Sequence, residues 1–423
     1  MLDVLPESAE VRDGALAVGG LAANELADRF GTPLVVYCEQ TLRSDARAYV
    51  DAAPADALVA YSVKAFPNVA LIRLFAGLGL GADVSTLGEL AYALRGGMTA
   101  DRIVVHGNNK SDDELRAAAE ADVGLLVIDA ADDVPRAAAA GVRSVLVRVT
   151  PGIDVDTHPA IGTGYTGSKF GLPPDDAIEA IRRAREVGLE ARGLHLHLGS
   201  QLLDAQAPRM GVDWLAGFAA ECRAALEWTP AVVDVGGGLG IAHVDGERAP
   251  AIGDFVGALL ARLQHAWRLH DLPPPRVLFE PGRSLVGRAA VTLYRVGVVK
   301  RASESTTYVA VDGGMSDNPR PQLYGVRHAA VVTSRVGAEA DGQYTVCGKH
   351  CESGDVLIER IGLPAPRRGD LLAVPATGAY TLGMGSNYNG VPRPGVVLVS
   401  RGEARVIRRR ETVDDLLALE TNG

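Results

Sequence analysis

Lys64 closes the apolar run Leu58-Val59-Ala60-Tyr61-Ser62-Val63. The chain has 42 basic residues, yet only five are lysine: Lys64, Lys110, Lys169, Lys300 and Lys349. Arginine serves wherever a generic positive charge would do. A lysine kept at the end of a buried strand therefore suggests its own chemistry, because an amine condenses with an aldehyde and a guanidinium does not. A lysine that merely ends a strand at the surface is the plainer alternative, and the residue alone does not decide. Further along, Leu194-His195-Leu196-His197-Leu198-Gly199-Ser200 puts two imidazoles on one face of a strand. His197 falls near the strand end, whereas His195 lies deeper and reads as a satisfied structural histidine. In Asp234-Val235-Gly236-Gly237-Gly238-Leu239-Gly240, glycines can turn backbone N–H groups onto an anion. Ile241 occupies the last glycine position of a dinucleotide fingerprint, so that reading fails, and a tight glycine turn is the alternative. Phe279-Glu280-Pro281-Gly282-Arg283 adds a carboxylate and a guanidinium.

These residues need elements to hold them. From residue 57 a short β-rich run alternates with an Ala/Leu/Arg/Glu-rich stretch. The runs are Leu58–Lys64, Gly81–Ser85, Arg102–His106, Gly124–Asp129, Val145–Thr150, Gly193–Leu198, Val232–Val235 and Arg276–Glu280. Continuous apolar strands between helices mean a parallel sheet, and eight such units have the size of a (β/α)8 barrel. An open doubly wound sheet is the structural alternative. In a barrel, chemistry sits at the C-terminal ends of the strands. Those ends carry Lys64, Asp83 and Ser85, His106 and Asn108, His197, the glycine run and Glu280. The loops after strands seven and eight, where the glycine run and Arg283 fall, are the usual phosphate site.

After Glu280 the helical stretches give way to closely spaced β segments with turns such as Asp312-Gly313-Gly314 and Arg401-Gly402. They predict an antiparallel β domain. The first 20 residues are also β-like, with a turn at Asp13-Gly14, and a helix follows until Gly31 and Pro33. The expected division is residues 1–32 as the N-terminal part of a discontinuous β domain, 33–284 as the barrel and 285–423 as the rest of the β domain.

Composition narrows the function. Charged residues are 22%, the formal charge is −10, and no apolar run reaches membrane-span length. Nucleic-acid and membrane partners are not expected. The N-terminus lacks the basic and apolar regions of a signal peptide, and four cysteines are too few for a disulfide framework, so a cytoplasmic protein is expected. Cys347-Gly-Lys-His350-Cys351 superficially suggests zinc, but no second Cys/His pair has matching spacing, so no metal is expected.

An amine, an imidazole, a phosphate nest and a carboxylate on one rim are what pyridoxal 5′-phosphate requires. Its aldehyde needs the amine, its ring a stacking partner, its phosphate the nest. Its pyridine nitrogen works as an electron sink when an adjacent carboxylate keeps it protonated. Tyr61-Ser-Val-Lys64-Ala, His197-Leu-Gly-Ser200-Gln201, Gly236-Gly-Gly-Leu-Gly240 and Glu280-Pro-Gly282-Arg283 together resemble the fold-type III pyridoxal-phosphate decarboxylases. His106-Gly-Asn-Asn-Lys110-Ser, Ser168-Lys-Phe-Gly171, Asn318-Pro-Arg320-Pro-Gln-Leu-Tyr324, Cys351-Glu352-Ser353-Gly-Asp355, Gly378-Ala-Tyr380 and Ser386-Asn-Tyr388-Asn make the diaminopimelate decarboxylases the nearest resemblance. Single motifs are weak, but their joint order from about residue 33 to 410 is specific.

The resemblance implies decarboxylation of meso-diaminopimelate to L-lysine. It implies that Lys64 holds the cofactor, His197 stacks on its ring and Glu280 pairs with its nitrogen. Ser200, Gly236, Gly237, Gly238, Gly282 and Arg283 would surround the cofactor or its phosphate, with Tyr380 near it. Arg283, Arg320, Tyr324, Tyr380 and Glu352 would meet substrate, and Cys351 would reprotonate the α-carbon. A distal amine and carboxylate suit Glu352 and the two arginines, whereas ornithine or lysine would leave the arginines unpaired. It also implies a homodimer whose active sites are shared, with Cys351 and Glu352 reaching the partner. Gly164-Tyr-Thr-Gly167 departs from relatives that carry an acidic residue there. The alternatives are a sister decarboxylase of another basic or acyl amino acid, a racemase lacking the Cys351-Glu352-Ser353 motif, and a non-catalytic cofactor-binding regulator.

Overall fold

The computed structural model describes residues 2–152 and 167–421. All eight expected runs form strands, and they close a parallel barrel. The strands are Leu58–Ser62, Gly81–Val84, Ile103–Val105, Leu125–Ile128, Ser144–Arg148, Glu190–His195, Val232–Asp234 and Arg276–Phe279. The eighth pairs with the first, Leu278 beside Leu58 and Phe279 beside Val59, so the open-sheet alternative falls. Leu58, Ala60, Val104, Val127, Leu146, Val232 and Leu278 form one apolar cluster. Such side chains fill the interior of a small barrel and leave the chemistry to its rim.

The first strand stops two residues before the expected end. Val63–Ala65 is a single 3-10 turn, so Lys64 sits on the turn that leaves the strand. Asn68 then accepts from the N–H groups of Ala70 and Leu71 and starts the helix Val69–Ala76. Thr86 and the Ser111–Glu114 capping box start Leu87–Arg95 and Asp112–Glu120 in the same way. These caps satisfy otherwise orphaned N–H groups and fix the lengths of the loops that carry the rim residues. Lys110 is a structural lysine. It is buried 2.9 Å from Asp133 and donates to Gly107 O, which pins the turn after His106.

The second compact unit is a mostly antiparallel sheet. Its strand order is Val356–Leu363, Gly342–Cys347, Thr307–Val311, Ala290–Arg301, Leu34–Cys38, Gly395–Ser400 and Glu403–Arg408. Two of its pairings are parallel. Ala9–Arg12 and Ala15–Val18 form the expected hairpin. This unit comprises residues 1–44, 241–248 and 285–423, and the barrel unit comprises 45–240 and 249–284. The junction therefore differs from the one expected at residue 33. Leu34–Cys38 pairs with Ala290–Leu293 and with the Gly395–Ser400 strand, which makes it a sheet strand of the β unit. The Gly164–Thr166 part of the departing loop lies outside the described residues. Among the described residues, no helix is long and apolar enough to cross a membrane.

Candidate active site

The barrel rim gathers Lys64, Asp83, His106, His195, His197, Asp234 and Glu280. Lys64 Nζ lies 3.7 Å from Asp83 Oδ2. Its side chain is half exposed while that of Asp83 is 2% exposed, so the amine is reachable and its counter-charge is not. Asp83 also accepts from the Ser62 hydroxyl at 2.5 Å, a contact set by the register that puts Ser62 beside Asp83.

Glu280 lies at the centre of a buried polar cluster. His106 Nε2 touches Glu280 Oε1, and His195 Nε2 is 3.3 Å from Oε2. Burial opposes ionisation of Glu280, but His106 and His195 outweigh it and hold the carboxyl well below its usual range. Asp234 moves the other way. Burial and the charge on Glu280 push its carboxyl well above the ordinary value. Two carboxyls with pKa values driven apart are a familiar mark of a working site. His195 itself is pushed down to about 4 by burial, against the pull of Glu280. Its depth is as expected, but it touches Glu280 and so belongs to the site.

The glycine run is shaped as a cradle. Gly236 and Gly238 have φ of 69° and 101°, which favour glycine. A Cβ on Gly236 would stand 2.6 Å from His197 Nδ1, and one on Gly238 2.6 Å from Gly199 O. Gly237 N–H donates to His197 Nδ1 at 3.2 Å, which fixes the imidazole beside the nest. Burial and the neighbouring Lys64 charge push His197 well below its usual pKa, so its ring is neutral. Glu280 N–H donates to Gly236 O, and Ser62 N–H donates to Pro281 O, so Glu280 and Pro281 join the nest to the first strand. Buried Arg283 donates to Ser200 Oγ at 2.9 Å. An accessible amine, a neutral imidazole, a glycine nest with an arginine, and an ionised carboxylate meet the requirements of pyridoxal phosphate.

The β unit carries the remaining expected residues. Cys351 and Glu352 are exposed on the loop after Gly342–Cys347, and Cys351 N–H donates to Asn389 Oδ1 at 2.9 Å. Arg320 is buried at the start of the short helix Arg320–Tyr324, its guanidinium 5.7 Å from the Tyr324 ring. Gln322 donates to Val356 O and Met315 N–H to Asp355 Oδ1, which ties the Arg320 segment to the Cys351–Glu352 loop. Tyr380 has φ of 57°, a conformation costly for a bulky residue. Its segment is held by Tyr37, whose hydroxyl donates to Gly378 O.

Sequence reading placed Asp83 and His106 at strand ends without roles and gave Asp234 and Arg148 none. The structure puts Arg148, His195 and Asp234 side by side in register across three strands. The signal available was that each of the three is the polar last residue of its strand.

Fold and site define the class: a pyridoxal-phosphate-dependent decarboxylase built from a barrel and a β domain. Residues 39–287 match the family described as pyridoxal-dependent decarboxylase, pyridoxal binding domain. Diaminopimelate decarboxylase from Actinosynnema pretiosum subsp. auranticum is 45% identical over 98% of this chain and 94% of its own length. The Mycobacterium tuberculosis (strain H37Rv) enzyme of that name is 41% identical over 96% and 95%. The crystal structure of diaminopimelate decarboxylase from M. jannaschii in co-complex with L-lysine has a TM-score of 0.92 at 32% identity, covering 99% of this chain and 98% of that one. The chain belongs to the diaminopimelate decarboxylase family.

Proposed function

We propose that this protein removes CO2 from meso-diaminopimelate to give L-lysine, as a cytoplasmic homodimer using pyridoxal 5′-phosphate. The observation that carries the reading is the rim of the barrel, where accessible Lys64, the glycine nest and ionised Glu280 stand together. When bound, the cofactor supplies the electron sink for the pair left behind as CO2 departs. Lys64 anchors its aldehyde end. Glu280 holds a proton on the pyridine nitrogen, a role that a carboxylate kept ionised can fill. Neutral His197 lies against the ring face. Ser200, Gly236, Gly237, Gly238, Gly282 and Arg283 take the phosphate.

Glu352 pairs with the distal amine of the substrate, and Arg320 and Arg283 pair with its distal carboxylate. Tyr324 and Tyr380 line the site, and Cys351 delivers the proton to the α-carbon. The exposure of Cys351 and Glu352 supports action on a partner subunit, so that each site draws on two chains. The direct test supplies pyridoxal phosphate with meso-diaminopimelate, L-lysine, L-ornithine or L-arginine and measures CO2. Release is expected from diaminopimelate; release only from another substrate overturns the assignment. Lys64→Ala should abolish the visible absorption of the bound cofactor.

A further inference from the structure

We propose that His350 is a positioning residue for Cys351, and that it acts through its hydrogen bond to Asp355. The inference rests on the reading that Cys351 delivers the proton to the α-carbon. Cys347 pairs with Val356 across the sheet of the β unit, so residues 348–355 form the loop that carries Cys351 and Glu352. Residues 351–354 are exposed and are flanked by buried His350 and buried Asp355. Packing cannot fix an exposed thiol, so the flanking pair must.

The pair is bonded directly. The His350 side chain is fully buried, and its Nδ1 lies 2.8 Å from Asp355 Oδ2. A carboxylate oxygen accepts, so Nδ1 donates. His350 N–H donates to the same oxygen at 2.9 Å, and Met315 N–H donates to Oδ1 at 2.7 Å. The residue before Cys351 is thus tied to Asp355 by main chain and side chain together. The chain also leaves room for the pair: a Cβ on Gly348 would stand 2.1 Å from Asp355 Oδ2, and one on Gly314 2.7 Å from His350 Nδ1. The imidazole stacks on the Tyr388 ring, 5.9 Å between centroids at 14°, and the neighbouring Asn389 accepts from Cys351 N–H. Glu352 is held differently. Its carbonyl accepts from Asp355 N–H at 3.1 Å, a main-chain bond that a change at His350 leaves in place. Loss of the imidazole therefore frees Cys351 more than Glu352.

In the step concerned, the Cα–carboxylate bond breaks and CO2 leaves. The electron pair that held it forms a C–H bond with the proton of Cys351 Sγ, and water returns a proton to the sulfur. A fixed thiol reaches one face of that carbon, so one solvent proton enters with one configuration.

Two measurements test this: hydrogen exchange of the holoprotein without substrate, and turnover of meso-diaminopimelate in D2O. His350→Ala should speed exchange of the 348–355 segment about tenfold or more. It should lower kcat about 10- to 100-fold and leave KM within about twofold of the parent value. The lysine formed should carry deuterium in both configurations at the carbon that lost CO2, where the parent gives one. His350→Asn offers an amide N–H in place of Nδ1 and should return exchange, kcat and configuration to those of the parent. His350→Phe keeps a ring for Tyr388 but cannot bond Asp355. It should behave as His350→Ala, and it keeps the test intact if the alanine protein does not fold. A single configuration with parental kcat in His350→Phe, no recovery in His350→Asn, or a change confined to KM overturns the proposal. Cys351→Ala is run alongside. If it keeps the parental kcat and single configuration, the reading of Cys351 as proton donor fails. If it loses them while the His350 variants keep them, only the role of His350 fails.

Discussion

Arg283 Nη2 donates to Ser200 Oγ at 2.9 Å, which joins the segment after the eighth barrel strand to the segment after the sixth. The glycine nest after the seventh strand lies between these segments in strand order. Gly238 O accepts from Leu202 N–H, and Gly236 O accepts from Glu280 N–H. A buried guanidinium, a hydroxyl and turned backbone N–H groups are the components of an anion site.

Arg283→Gln should therefore weaken binding of pyridoxal phosphate about 10- to 100-fold, the range for losing a charge-assisted hydrogen bond. Ser200→Ala should cost less, about three- to tenfold, because the arginine remains. Titration of the apoprotein with pyridoxal phosphate and with dephosphorylated pyridoxal checks the cause. Both variants should lose affinity for the phosphorylated form and keep that for pyridoxal. Equal losses for the two ligands would place Arg283 and Ser200 away from the phosphate.

Gly238→Ala tests the shape of the nest apart from its charge. The added Cβ would stand 2.6 Å from a backbone oxygen, Gly199 O, at a φ of 101°. Backbone cannot rotate away as a side chain can, so the loop must shift. We expect a stability loss of about 1–3 kcal/mol and a cofactor affinity lowered at least tenfold. Gly217→Ala is the control, since nothing lies within 4 Å of its added Cβ. Denaturant titration with and without cofactor measures both effects.

The barrel was legible because most of its strands lie in short, largely apolar β-rich runs that alternate with helical stretches, and Leu58–Ser62 or Leu125–Ile128 can be little else. Lys64 was legible through lysine scarcity, and Glu280 through its place after the last strand. Leu34–Cys38 was not assigned to the β unit because LVVYC is as apolar as a barrel strand. Its partners, Ala290–Leu293 and Gly395–Val399, are hundreds of residues away. The cluster around Glu280 was hidden for a related reason. Whether His195 meets Glu280 or an apolar neighbour depends on the stagger of adjacent strands, which local sequence does not encode. His195 therefore read as structural, although it lies 3.3 Å from the carboxylate.

Shared active sites can be tested by subunit mixing. Lys64→Ala and Cys351→Ala homodimers should each be inactive or nearly so. If Cys351 acts on the partner's cofactor, a heterodimer of the two contains one intact site and one doubly defective site. Random reassociation makes half the dimers heterodimers, so about a quarter of the parent activity should return. If both residues act within one chain, no site in the mixture is intact and no activity returns. Activity per dimer, with subunit exchange verified by mass spectrometry, separates the outcomes.

His328 offers a prediction about acid stability in the β unit. It is buried, and Asn318 Nδ2 lies 3.2 Å from its Nε2. The amide can only donate there, so Nε2 accepts and the ring is neutral. Burial, with help from Arg320, pushes the histidine pKa down to about 3. An unfolded chain protonates this ring near pH 6.5, so between about 6.5 and 3 the unfolded state binds the extra proton. The contribution of His328 is therefore full above pH 6.5 and is lost as pH falls toward 3. Replacing it with Gln, which keeps an acceptor for Asn318, should lower stability at pH 7.5 and flatten the acid side of the profile. The slope should fall by up to about 1.4 kcal/mol per pH unit between pH 6 and 4, the limit for one proton. Urea unfolding of both proteins at pH 7.5, 6, 5 and 4 measures it. Parallel profiles would mean that His328 takes up its proton in the folded state as readily as in the unfolded chain.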